Sequence, residues 1–127
     1  MRYLFDTQVV IWAAHGSARL PKLARDLIED EAAVPVVSVV SFWEVAIKAA
    51  KQRSFPVDPY LLRRAMLALG WEELPVIGGH VVAVTHLPLL HHDPFDRLLL
   101  AQAIEEDMLL VTTDSAIAKY AGPVRLV

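Results

Sequence analysis

A chain of 127 residues with 55% apolar side chains and a formal net charge of −3 fits one domain spanning 1–127 and leaves little room for a second. With no cysteine, disulfides, thiolate metal sites and thiol nucleophiles are excluded, so any chemistry must come from oxygen and nitrogen groups. No apolar run reaches the roughly 20 residues of a membrane helix, and Asp6 interrupts the early apolar run, so a soluble, cytoplasmic protein is expected.

In chain order, residues 2–5 read as a short apolar strand, followed by a helix through 9–14 that ends near Gly16. Pro21 opens a second helix to about residue 31. Residues 34–37 are β-branched and nearly continuous, as in a strand buried on both faces, and Ser41 starts the next helix. Asp58-Pro59 opens a helix closed by Gly70, residues 74–77 suggest a short strand, and 81–87 a further helix. Asp93-Pro94 begins a strongly apolar helix through about residue 106. A strand over 108–112, a helix over 115–120 and a last strand over 124–127 complete the pattern. Such alternation predicts an α/β fold with a parallel sheet covered by helices.

Four acids fall where such folds place ligands. Asp6 ends the first strand and Asp114 follows the strand over 108–112, while Glu44 and Asp96 occupy the first turns of helices. Each has a local explanation too. Ser41-Phe42-Trp43-Glu44 fits a capping box, Asp93 an N-cap before proline, Asp96 the helix dipole, and Asp114 a cap for the segment that follows. Asp6 is the exception, because a charge at the end of a buried strand needs a partner or a cation. Taken together, clustered carboxylates repel unless a cation compensates. Oxygen ligands alone select a hard ion, Mg2+ or Mn2+, and suit phosphodiester hydrolysis by metal-activated water. A bound cation also reverses the local field, so the net charge of −3 does not exclude a nucleic-acid substrate.

On the helix that carries Glu44, Lys48 and Lys51 share its face. They and Arg53 either form a solvated Glu–Lys face or guide RNA phosphates towards Glu44. Trp43, Ala46, Ile47 and Ala50 form an apolar face on the same helix and Val45 and Ala49 a second, which points to cover both by its own sheet and by another chain. Trp12, Phe42, Trp43, Tyr60 and Trp71 are candidates for core or for contacts with partners.

Four blocks resemble the motifs of the PIN-domain family, and more closely its VapC-type toxin endonucleases. They are Tyr3-Leu4-Phe5-Asp6-Thr7, the run from Val39 to Lys48, the run from His92 to Ala103, and Leu110-Val111-Thr112-Thr113-Asp114, in the family's order. The resemblance implies a three-layer α/β/α sandwich around a parallel sheet, Mg2+ or Mn2+ held by acids, endonucleolytic cleavage of RNA, a homodimer and a cognate antitoxin. It matches Asp6, Glu44, Asp96 and Asp114 to the family's catalytic, metal-binding acids. Asp93 is then a cap or a neighbour of the ligands, and Thr112 a hydroxyl that orients a carboxylate or water. Gln8 and the segment Ser115-Ala116-Ile117 depart from the pattern, the latter lacking a further acid, so a second ion would depend on Asp93.

Two rival readings concern other chemistries. His86, His91, His92 and Asp93 offer a set of zinc ligands, and a catalytically silent PIN-like interaction module would use the acids only as caps. An aspartyl-nucleophile phosphatase needs a second Asp two residues beyond the first, where this chain has Gln8.

Overall fold

The computed structural model describes residues 1–127. Strand β1 (Arg2–Phe5) lies at the centre of a five-stranded, wholly parallel sheet. On one side stand β2 (Val34–Ser38) and then β3 (Glu72–Leu74), and on the other β4 (Leu109–Thr112) and then β5 (Val124–Leu126). Parallel neighbours require crossovers, which helices supply. Helices α1 (Thr7–His15) and α2 (Lys22–Glu29) join β1 to β2, α3 (Val39–Lys51) and α4 (Pro59–Ala68) join β2 to β3, and α5 (Gly78–Ala83) and α6 (Pro94–Glu105) join β3 to β4.

Side chains alternate across a strand, so the register that sets Leu4 beside Val36 and Leu110 creates two cores, one on each sheet face. Phe5, Val37 and Val111 meet Val9 and Val10 of α1, Ala24 of α2 and Leu62 and Met66 of α4. Leu4, Val36 and Leu110 meet Leu99, Leu100 and Ala103 of α6, with Ile117 and Tyr120. Helix α3 enters both, through Phe42 and Val45 on one side and Val40 on the other. The result is the three-layer α/β/α sandwich that the alternation and the motif resemblance predict. No helix is long and apolar enough to cross a membrane.

Several boundaries lie elsewhere than the sequence pattern suggests. Helix α3 starts at Val39, not Ser41, because Ser38 is the N-cap: its backbone is extended and its Oγ accepts from the Val40 N–H at 3.0 Å. The β-branched pair Val39-Val40 hides this start, since those residues continue the pattern of the strand before them. Strand β3 occupies 72–74 rather than 74–77. It pairs Val36 with Glu72 and Ser38 with Leu74, and Pro75 has no N–H with which to extend the ladder. The helix expected over 81–87 divides into α5, starting at Gly78, and a single 3-10 turn, Val84–His86. The His80 ring takes the Ile77 N–H at 3.2 Å, so the glycine pair forms a first turn instead of a loop. Of the helix expected over 115–120 only a 3-10 turn, Ile117–Lys119, forms. Pro123 must already accept the Leu110 N–H at 2.7 Å to start β5, which leaves chain for one turn only.

Candidate active site

The chain lays β2 and β3 on one side of β1, then crosses back to place β4 against its other edge. At such a reversal a crevice opens beyond the carboxyl ends of the strands. Asp6 follows β1, its N–H donating to the Val111 carbonyl at 3.0 Å, and Asp114 follows the adjacent β4. Glu44 comes from α3 and Asp96 from the first turn of α6. These four acids and Asp93 line one cavity of about 400 Å³, together with Thr7, Gln8, Thr113, Lys48 and an apolar edge of Ile11, Phe55 and Val57.

Each carboxylate makes at least one hydrogen bond, and those of Asp6 and Glu44 reach both their own helix and a neighbouring element. Asp6 caps α1, Oδ1 accepting from the Val9 N–H at 2.9 Å, and its Oδ2 accepts from the Thr112 hydroxyl. Thr112 Oγ1 in turn accepts the Asp114 N–H at 2.9 Å, so one hydroxyl ties the acids of two adjacent strands together. Burial pushes the Asp6 carboxyl above its ordinary range, against the bonds from Thr112, Val9 and Thr113, and Asp114 adds to the rise. Glu44, only 6% exposed, accepts from the Thr7 hydroxyl at 2.7 Å and from the Lys48 ammonium at 2.7 Å. Thr7 Oγ1 also lies 2.9 Å from Ser41 Oγ. Asp96 hydrogen-bonds through Oδ2 to His91 Nε2 at 2.8 Å. Burial, and then the charges of Asp93, Glu44 and Asp6, push the Asp96 carboxyl up to about 6 although the His91 bond lowers it. Asp93 caps α6, its Oδ1 accepting from the Phe95 and Asp96 N–H groups at 2.9 and 3.3 Å, and Asp114 Oδ1 accepts the Ala116 N–H at 2.8 Å.

The cap readings of Asp93 and Asp114 hold together with the cluster reading, and Asp6 caps as well, each using one oxygen for backbone N–H groups while facing the cavity; the Ser41–Glu44 capping box does not form, because Ser38 caps α3 and Glu44 lies beyond its first turn. Five carboxylates line it against the single ammonium of Lys48, and the Asp6 and Asp96 carboxyls are raised mainly by burial, with the neighbouring acids adding to the rise. That excess of hard oxygen donors fits a divalent cation. Lys48 pairs with Glu44, whereas Lys51 and Arg53 are exposed outside the acidic cavity. Arg53 borders a shallow depression that shares Phe55, Pro56 and Val57 with the cavity wall.

The histidines are not gathered as a zinc set. His86 and His92 are exposed, and of the three only His91 joins acids, one donor atom from each of His91, Asp93 and Asp96 lying within 4.8 Å of one another. Sequence reasoning missed the support that Thr7 and Ser41 give Glu44, because Ser41 fits a capping box equally well. It also grouped His91 with its histidine neighbours instead of with Asp96, five residues later.

The PIN domain family matches residues 3–123. Ribonuclease VapC22 of Mycobacterium tuberculosis is 31% identical over 123 residues, covering 94% of this chain and 92% of that protein. Similar solved structures include VapBC2 from Rickettsia felis bound to a DNA fragment from its promoter, 14% identical, with a TM-score of 0.71 over 99% of this chain and 98% of the other. A toxin-antitoxin complex from Klebsiella pneumoniae is 19% identical with a TM-score of 0.66, covering 97% of this chain and 95% of its own. These two share the fold. Taken with the order of the acidic blocks along the chain, the matches establish that the protein belongs to the PIN-domain family, among its VapC-type members.

Proposed function

We propose that this protein is a cytoplasmic endoribonuclease dependent on Mg2+ or Mn2+, the toxin of a toxin-antitoxin pair. The observation that carries the reading is the convergence of Asp6, Glu44, Asp96 and Asp114, from four separate segments, on one cavity at the carboxyl ends of the strands. The sequence relative named a ribonuclease supports the choice of substrate. Asp6, Asp96, Asp114 and Glu44 hold the cation, which when bound supplies Lewis-acid activation of water and offsets charge on the phosphodiester. Thr112 fixes the spacing of Asp6 and Asp114 through its two hydrogen bonds, and Asp93 adds a carboxylate edge beside Asp96. Lys48 holds the Glu44 carboxylate in place, and Lys51 and Arg53 guide RNA phosphates along the adjoining surface. The antitoxin and a second copy of the chain cover exposed apolar surface on α3 and α4, where Trp43 and Tyr60 are 55% and 83% exposed.

Purified protein is expected to cleave RNA with Mn2+ or Mg2+ and to stop on chelation. Asp96→Asn should lower the rate by at least the ~10–100-fold typical of disturbed metal ligation. Cleavage that is indifferent to both chelator and substitution would remove the acidic cavity from the reaction.

A further inference from the structure

His91 stands against the acids of the cavity although nothing in the motif pattern assigns it there. Its Nε2 lies 2.8 Å from Asp96 Oδ2 and 3.9 Å from Asp114 Oδ2. Metal bonds of about 2.0–2.2 Å put neighbouring donors of an octahedron about 3 Å apart and opposite ones about 4.2 Å apart. The separations from His91 to the two acids thus fit an edge and nearly a diagonal around one ion. Asp93 completes the group, and because its cap bonds both use Oδ1, Oδ2 has no protein partner.

The backbone that carries the imidazole is also held before any ligand arrives. The His91 backbone N–H donates to Tyr120 Oη at 3.0 Å, and the same hydroxyl accepts from Arg97 Nη1 at 3.1 Å. Arg97, the residue after Asp96, donates to the carbonyls of Val84, Leu87 and Pro88 at 3.3, 3.4 and 3.0 Å. One guanidinium thereby anchors the segment leading to His91 onto the helix that presents Asp96. Such bracing fixes where the His91 side chain leaves the backbone, and a metal ligand depends on being positioned in advance.

We infer that His91 is a nitrogen ligand of the divalent cation, forming with Asp93 and Asp96 a mixed nitrogen and oxygen set that favours a first-row transition ion over Mg2+. The inference rests on the metal-dependent reading above. On binding, the proton between Nε2 and Oδ2 gives way to the cation and moves to Nδ1 as the neutral tautomer switches. Imidazole suits transition ions, while Mg2+ prefers oxygen donors throughout.

Mn2+ alone, added to the purified full chain, is the probe. Pulsed electron paramagnetic resonance should show nitrogen coupling to Mn2+ that changes from the 14N to the 15N pattern when histidine is selectively 15N-labelled. The signal should vanish in His91→Gln, persist in His92→Gln, and be accompanied in His91→Gln by a roughly tenfold fall in the Mn2+ to Mg2+ affinity ratio. The labelling experiment uses the wild type, so it decides the matter even if a variant folds poorly. Mn2+ bound without histidine nitrogen coupling overturns the role of His91 and leaves the ribonuclease reading standing. No Mn2+ binding at all overturns both.

Discussion

A carboxyl raised to about 6 at Asp96 means that the folded, metal-free chain binds a proton more tightly there than the unfolded chain, whose carboxyl keeps the ordinary value of 3.8. Stability from this group is therefore full below pH 3.8 and declines as pH rises through about 6, staying low above it. Asp96→Asn removes the charge, so the metal-free variant should be more stable than the wild type by ~2 kcal/mol at pH 7.5, with partial exposure discounted. The difference should shrink towards pH 4, and urea denaturation at both pH values checks it. Mn2+ at neutral pH should raise the midpoint of the wild type more than that of the variant, because a ligand that binds the folded state alone stabilises it. Thr112 makes a separate prediction. Thr112→Val keeps the shape but cuts the tie between Asp6 and Asp114, so RNA cleavage should fall by ~10–100-fold while circular dichroism stays unchanged. At this scale the acids were legible in the chain, since strand ends and helix starts are marked by apolar runs and caps. Thr112 was legible through the motif resemblance, but Thr7 and His91 were not, because a Thr7–Glu44 or His91–Asp96 bond depends on how helices and loops are placed, which periodicity does not encode.

Among the secondary-structure elements, long periodic segments such as α4 and α6 announce themselves by Asp-Pro starts, and the structure bears both out with aspartate N-caps at Asp58 and Asp93. Misplaced boundaries cluster where tertiary pairing decides. Strand β3 is placed by its neighbour β2 rather than by its own composition, for Glu72-Glu73-Leu74 has no strand signature. Gln102 shows what joins these weakly marked parts. Wholly buried in α6, it accepts the Ser38 hydroxyl at 2.5 Å at the start of α3, and donates to the Pro75 carbonyl at 3.3 Å just beyond β3. It also lies 3.3 Å from His80 Nδ1 in α5. Gln102→Leu fills similar volume but strands those polar groups, so it should cost about 1–3 kcal/mol in urea unfolding. Ser38→Ala in the Gln102→Leu background should then cost less than in the wild type, which a double-mutant cycle would read.

Over the whole molecule, the apolar excess visible in the composition has a location. A groove between α3 and α4 is lined by Phe42, Trp43, Ala46, Tyr60 and Leu67, with Arg63 and Arg64 beside them. Trp71 is buried and Trp43 is 55% exposed, so a partner seated in this groove should shift tryptophan emission to the blue, and Trp43→Phe should remove most of that shift. An unchanged spectrum on binding the proposed partner would place the contact elsewhere.

The bond between Thr112 and Asp6 bridges 106 positions of sequence. Contacts so distant along the chain form only once β4 has docked beside β1, so the acidic cavity is a product of completed folding and cannot be assembled by any short segment alone.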